Sequence, residues 1–193
     1  MRPRKRRSKL LAPRKDRPMG FLSYAHFDDE HNRGWISDFC KAFSGEVRAQ
    51  TGKQFPIFQD RNDLMWGQNW TARINGALET ATFFFPVITP NFLSSIECKR
   101  ELRDFLNHER ARKRSDLVFP IYFIRCKTID QTVCRGPLGT LVRAIKKHQM
   151  CHLLDLRFQK VEDMEVRRFL AEMARHVCDA IDRIEQATSG TRA

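Results

Sequence analysis

The most hydrophobic stretch of the chain lies near its middle and predicts a buried central strand. Residues Phe83–Ile88 are apolar and rich in aromatic and β-branched types, which is typical of a strand covered on both faces in a parallel sheet. Thr89-Pro90-Asn91 ends this strand, because proline has no N–H to give to a ladder. The S-x-x-E pattern of Ser94 and Glu97 then predicts a capping box and a helix to about residue 114. The pattern therefore places the end of a buried strand directly before the first turns of a helix.

Strand-like and helix-like patterns alternate along the rest of the chain. Further strands are predicted at 19–25, 55–58, 117–124 and 151–156. Helices are predicted at 70–80, at 163–187 and from a cap at Asp28 or Asp29 to residue 48, and 141–147 is a short helical or linking segment. Pro120 favours a less central place for the fourth of the five strands. This alternation is typical of the α/β class, with a parallel sheet and helices on both faces.

Length and composition indicate one folded unit. The 193 residues are 41% hydrophobic, enough for one core and too few for two ordinary domains. We predict a domain at 19–187, a basic arm at 1–18 and a flexible tail at 188–193. No apolar run is long enough to span a membrane. The six cysteines lack the C-x-x-C spacing of metal sites, so we expect reduced thiols, no metal and a cytoplasmic location.

The basic arm differs in composition from everything that follows. It carries nine Lys and Arg residues against Asp16 alone, a net charge of +8 within the chain's +12. With three prolines and few apolar residues it cannot bury enough surface to fold. Two interpretations stand side by side: a contact surface for nucleic acid or anionic lipid, and a solvated tail that keeps the protein soluble.

Three motifs give the chain a family resemblance. They are Phe21-Leu22-Ser23-Tyr24-Ala25 with Asp28 and Asp29, then Gln59-Asp60 through Gly67 and Trp70, then Thr89 to Ser95 through Cys98 and Glu101-Leu102. In this order and spacing they resemble a Toll/interleukin-receptor (TIR) domain, and the bacterial members more than the animal adaptors. The resemblance covers roughly residues 19–187. It implies a five-stranded, parallel, flavodoxin-like sheet.

The resemblance also implies two classes of function. Some TIR domains cleave NAD+ at the nicotinamide–ribose bond, and others only dock onto further TIR domains. In the enzymes the required glutamate lies in a Trp-Cys-x-x-Glu-Leu motif, whose glutamate position is Glu101 here, while Glu97 stands where the motif has its aromatic residue. A carboxylate at Glu101 would stabilise an oxocarbenium-like ribose. The ordinary alternative is a solvated helix carboxylate that pairs with Arg100 or Arg103.

Residues of the other two motifs complete the predicted site. Tyr24 packs on a ring of NAD+ or serves as a core tyrosine, and Asp60 and Arg61 contact a phosphate or ribose or brace their loop. Trp66, on the same loop, contacts a ligand or a neighbouring subunit. The predicted set besides Glu101 is Ser23, Tyr24, Asp60, Arg61, Trp66 and Cys98.

The predicted function is therefore a TIR-domain NAD+ glycohydrolase or ADP-ribose cyclase in immune or defence signalling. NAD+ is its substrate and no cofactor is expected. The resemblance implies activation by self-assembly, in which the 60–70 loop of one subunit completes the site of another. The alternative is a non-catalytic module that binds other TIR domains, and Glu97 at the aromatic position is its strongest support. The product, the trigger and the partner chain are not readable from the sequence.

Overall fold

A five-stranded parallel sheet forms the centre of the described chain. The computed structural model describes residues 18–59, 82–131 and 135–190, with side chains through 187. All strand pairs in it are parallel, in the order β2-β1-β3-β4-β5. The strands are β1 Gly20–Ser23, β2 Ile57–Gln59, β3 Phe83–Ile88, β4 Ile121–Tyr122 and β5 Cys151–His152. The predicted fold class is confirmed.

Helices cover both faces of this sheet. They are α1 His26–His31, α2 Trp35–Thr51, α3 Pro90–Ser94, α4 Ile96–Ala111, α5 Lys127–Asp130, α6 Gly136–Ile145 and α7 Met164–Gly190, with a 3-10 turn at Leu156–Phe158. Phe84 stacks on Phe105 of α4 at 5.0 Å between centroids, and Phe85 meets Phe43 of α2 at 5.2 Å. Because neighbouring strand residues point to opposite faces, α4 and α2 lie on opposite sides of the sheet. The predicted helix at 70–80 lies outside the described residues.

β3 is the central strand, as the hydrophobic pattern predicted. All six of its residues are buried. β1 passes so close to it that a Cβ on Gly20 would lie 2.6 Å from Phe85 Cε2. Only glycine fits at this position without displacing the phenylalanine ring. The close approach sets β1 against β3, and the candidate site lies at the C-terminal ends of these two strands.

The predicted capping box at Ser94 is wrong. Ser94 belongs to α3, and its Oγ donates to the carbonyl oxygen of Pro90 at 2.9 Å. Ser95 has the extended backbone of an N-cap, and its Oγ accepts from the N–H of Cys98 at 3.2 Å. A short helix that the sequence did not predict, α3, extends through Ser94, so the cap of α4 falls one residue later than the S-x-x-E spacing suggested. The cap of α4 is therefore Ser95.

The single helix predicted from residue 28 to 48 is two helices. Arg33 and Gly34 adopt positive φ angles of 57° and 82° between α1 and α2, and this backbone breaks the helix. Asp29 nevertheless caps a helix, because its Oδ1 accepts from the N–H groups of Ile36 at 2.9 Å and Ser37 at 3.1 Å. Asp29, which lies in the first turn of α1, thus caps the N-terminus of α2.

The strand after Pro120 takes the less central place that the sequence predicted, because β4 lies between the central β3 and the edge strand β5. β4 pairs with β3 on one side and with β5 on the other. Pro120 lies just before the two-residue ladder of Ile121 and Tyr122, where no N–H is needed. Its carbonyl oxygen still accepts from the N–H of Cys151 at 2.8 Å. Among the described residues, no helix has both the length and the apolar composition to cross a membrane.

Candidate active site at the sheet's C-terminal edge

The strand order defines a crevice at the C-terminal ends of β1 and β3. From β1 the chain continues to β2 on one side, and β3 lies on the other. Connections that leave in opposite directions open a gap above the strand ends, where doubly wound α/β proteins bind ligands. Ser23 is the last residue of β1, and Thr89 follows the last residue of β3. Polar residues of the first and third motifs therefore meet at this edge.

Ser23 and Glu101 are in direct contact in this crevice. The Ser23 hydroxyl donates to Glu101 Oε2 at 2.6 Å, although the two residues are 78 positions apart in sequence. Ser23 is fully buried, and Glu101 is 1% exposed. The alternative that Glu101 is a solvated helix carboxylate is therefore wrong. A carboxylate at this depth interacts more strongly with nearby charge than it would in water.

A second buried carboxylate, Asp28, connects α1 to the end of β3. Its Oδ2 accepts from Thr89 Oγ1 at 2.5 Å, and its Oδ1 accepts from Asn91 Nδ2 at 2.7 Å. Thr89 Oγ1 also accepts from the N–H of Phe92 and so caps α3. The sequence placed Asp28 in a motif but predicted only a helix cap. This network fixes the turn between β3 and α3, which leads into the helix that carries Glu101.

Tyr24 lies in a polar network beside the crevice. Its hydroxyl donates to Gln59 Oε1 at 3.4 Å, and the Ser37 hydroxyl contacts the same oxygen at 3.2 Å. Ser37 also donates to Asp29 Oδ2 at 2.6 Å. Tyr24 is buried. The structure thus places its ring in the core with its hydroxyl in a hydrogen bond, which is the second of the two predicted interpretations.

The structure describes only some of the other residues that the sequence singled out. Cys98 is buried one turn before Glu101, within the hydrophobic core. Glu97 is exposed on the same helix and accepts from the Ser95 hydroxyl at 3.3 Å. Three predicted site residues lie outside the described residues: Asp60, Arg61 and Trp66. Their predicted contacts stay predictions, and so does a ligand contact of Cys98.

The groups at the end of β4 do not supply a nucleophile. Burial raises the pKa of the Cys126 thiol to about 12, so the thiol stays protonated near neutral pH. Burial and the hydrogen bond to Asp130 also raise the pKa of Tyr122 to about 12. No cluster of described side chains has the composition to hold a metal ion. Neither Cys126 nor Tyr122 is therefore a ready nucleophile near neutral pH.

Comparison with known proteins identifies the family. The chain matches the TIR domain family over residues 21–160. It belongs to the TIR domain family. Whether it groups with the bacterial members stays a prediction.

Two solved structures show similar domains. One is the TIR domains of the activated Roq1 resistosome that recognises the pathogen effector XopQ, at 19% identity over 82% of this chain and 84% of that chain, with a TM-score of 0.47. The other is the TIR domain of the Toll-related receptor TRR-2 from Hydra magnipapillata, at 18% identity over 65% of this chain and 89% of that chain, with a TM-score of 0.40. No match was found among curated proteins.

Proposed function

We propose that this TIR domain is an NAD+ glycohydrolase or ADP-ribose cyclase whose catalytic group is Glu101. The observation that carries the proposal is the buried contact between the Ser23 hydroxyl and Glu101 Oε2 at 2.6 Å. This contact joins the last residue of β1 to helix α4, so the carboxylate is held at the crevice where ligands of this fold class bind. NAD+ is the proposed substrate, and defence or immune signalling is the proposed setting.

The reaction calls for a preorganised negative charge. Loss of nicotinamide leaves positive charge on the ribose C1 and ring oxygen, as in glycoside hydrolysis. A carboxylate that is already held in place stabilises this charge without reorganising during the reaction. The hydrogen bond from Ser23 restricts the rotamer of Glu101. The carboxylate is thus suited to electrostatic stabilisation.

The burial of Glu101 supports activation by assembly. A carboxylate that is 1% exposed meets a substrate only after the residues that cover it move. Contact with a neighbouring subunit through the 60–70 loop would supply the free energy for such a rearrangement. On this proposal the isolated domain has low activity, and clustered subunits are active.

A docking module without catalysis is the second candidate. The specific observation in its favour is the exposed apolar side chains at the same edge: Phe27 on α1 is 62% exposed, and Ile96 at the start of α4 is 75% exposed. Glu97 follows Ile96 and provides no aromatic face for a flat ring. Exposed apolar groups of this kind are typical of a surface that packs against another protein.

The deciding experiment measures loss of NAD+ and release of nicotinamide at high protein concentration, where subunits can assemble. Glu101→Gln removes the charge but keeps an acceptor for Ser23, so we expect turnover to fall about 100-fold or more. Glu97→Gln is the matched control, because Glu97 is an exposed glutamate on the same helix. Its turnover should stay close to that of the wild type.

Two outcomes would overturn this assignment. A wild type that assembles but leaves NAD+ intact would favour the docking module. Full activity in Glu101→Gln would keep the enzyme and move its catalytic group elsewhere. Melting temperatures of both variants show whether any loss of activity reflects unfolding.

A further inference from the structure

A cavity of about 190 Å³ lies at the opposite edge of the sheet from Glu101. Its floor is formed by Val118, Phe119 and Cys151, residues at or just before the starts of β4 and β5. Burial raises the pKa of the Cys151 thiol to about 11, so this wall is uncharged near neutral pH. The floor is therefore largely apolar, with one aromatic ring.

The rim of the cavity is polar. It is formed by Ser115, His148, Gln149, His176 and Asp179, together with the ion-paired residues Asp116 and Arg183. The walls thus combine an apolar floor with hydrogen-bonding groups above it. Such a combination fits a flat ring with polar edges better than it fits a sugar, which has hydroxyls on most of its surface.

Two guanidinium groups are held side by side at the mouth of the cavity. Arg114 binds Asp116 with Nε at 2.8 Å and Nη2 at 2.7 Å, and Arg183 Nε binds Asp116 Oδ2 at 2.9 Å. Burial alone would raise the pKa of Asp116, but the two arginines outweigh it and hold that pKa below its ordinary value. One negative charge therefore orients two positive ones, and each guanidinium keeps further N–H groups for a ligand.

Lys113 adds a third positive charge at the mouth of the cavity. With Arg114, Ser115, Asp116 and Arg183 it lines a groove that forms the outer part of this mouth. Its backbone has a φ of 53°, a conformation that glycine adopts at no steric cost after a helix. The groove thus has three cationic side chains against the carboxylate of Asp116, and Asp179 adds a second carboxylate at the rim of the adjoining cavity.

We propose that the cavity and this groove bind a mononucleotide, with its phosphate at Arg114 and Arg183 and its base in the cavity. Planar guanidinium groups match phosphate geometry, and two of them fixed by one carboxylate need little ordering to bind it. The cavity is smaller than the about 300–1,000 Å³ of pockets that enclose a whole drug-sized ligand. It has room for one ring system, and the ribose lies across the polar rim.

Titration calorimetry of the full chain with AMP as the probe tests this site. Adenosine lacks the phosphate and ribose 5-phosphate lacks the base, so each should bind at least about tenfold more weakly than AMP. Inorganic phosphate as tight as AMP would show that the cavity contributes nothing and would overturn the nucleotide assignment. No heat of binding with millimolar AMP would overturn the site as a whole.

Arg183→Gln is the first variant. Arg183 is half exposed, so its replacement leaves the core intact, and AMP affinity should fall at least about tenfold. Arg175→Gln is the matched control, an exposed arginine about two turns away on α7 that does not line the cavity. Equal AMP affinity in the two variants would contradict the proposal.

Lys113→Gly separates binding from folding. Glycine relieves the positive φ, so the melting temperature should rise, while AMP affinity should fall about threefold through the lost charge. A variant that is more stable and binds less cannot be explained by misfolding. Unchanged AMP affinity in Lys113→Gly would exclude this groove as the phosphate site.

Two further measurements identify where AMP and its competitors bind. Glu101→Gln should leave AMP affinity unchanged, because Glu101 lies at the other edge of the sheet. AMP binding that is lost in Glu101→Gln and kept in Arg183→Gln would place the nucleotide in the candidate active site instead. A single-stranded oligonucleotide that binds where AMP does not would make the groove a polyanion surface and overturn the mononucleotide proposal.

Discussion

Helix α4 carries two buried glutamates, about two turns apart, in different electrostatic surroundings. Glu101 meets the Ser23 hydroxyl at the C-terminal edge of the sheet. Glu109 lies near the end of the helix, where its Oε1 accepts from the N–H of Leu117 at 2.9 Å and its Oε2 contacts His148 Nε2 at 2.8 Å. His148 Nδ1 is 3.0 Å from the carbonyl oxygen of Ala144, so both ring nitrogens have an acceptor.

Both glutamates are buried, so burial alone does not explain why a catalytic role is proposed only for Glu101. Glu109 and His148 form a buried ion pair that ties the end of α4 to the segment after α6, and their charges compensate each other. Glu101 receives a hydrogen bond from the Ser23 hydroxyl, which orients its carboxylate. On the proposed function, the two glutamates differ in this hydrogen-bond partner and in the edge of the sheet at which each lies.

The largest effect on stability should come from Glu109→Gln. The side chains of Glu109 and His148 are 6% and 9% exposed, so removing the carboxylate leaves a buried cation without its counter-charge. We expect a loss of about 3 kcal/mol in the free energy of unfolding at pH 6, measured by urea titration. The matched Glu101→Gln should lose less than about 1 kcal/mol, because the amide oxygen still accepts from Ser23. Equal losses in the free energy of unfolding would show that the two glutamates do not differ in their contribution to stability.

Ser23→Ala tests the other half of the comparison. On the proposed function, loss of the hydroxyl frees the rotamer of Glu101, and NAD+ turnover should fall about tenfold. Ser37→Ala is the control: Ser37 is also buried and donates to a carboxylate, Asp29 Oδ2, at 2.6 Å. Both variants should lose about 1 kcal/mol of stability. Only Ser23→Ala should lose turnover, and a parallel loss in Ser37→Ala would indicate a general effect on folding.

The smallest expected effect is a pH dependence of the free energy of unfolding, which arises from the titration of His148 beside Glu109. Burial alone would lower the pKa of His148, but the hydrogen bond and charge of Glu109 outweigh it and raise that pKa above the ordinary value of 6.5. The folded state therefore holds this proton more tightly than the unfolded state. The resulting stabilisation is complete below about pH 6.5 and is lost as pH rises through the pKa of the folded state.

Urea titrations at a series of pH values measure this dependence. The wild type should lose stability from pH 6.5 upward relative to His148→Gln, in which the titrating group is absent. Parallel curves for the two proteins would show that the imidazole carries no linked proton. Ser23→Ala provides a second reference, because its curve should keep the slope of the wild type.

The parts of the fold that the sequence predicted well depend on short-range patterns. The apolar run of β3 identified the central strand, since six consecutive buried residues leave a signal without any partner being known. The alternation of strands and helices gave the class of sheet. The errors lie at junctions, where one residue decides the structure. Ser95 replaces Ser94 as the cap of α4, and the positive φ of Arg33 and Gly34 divides the first predicted helix.

The sequence by itself determined the family, the sheet and the identity of the candidate glutamate, because these depend on residue types at fixed spacings. Only the tertiary structure decided what each carboxylate touches. Ser23 and Glu101 are 78 positions apart, and Glu109 and His148 are 39 apart, so no local pattern couples them. The free energy of a buried charge depends on its nearest partners and on the water excluded around it. Those quantities are set when the strands and helices pack, and they make Glu109 a structural residue and Glu101 the candidate for catalysis.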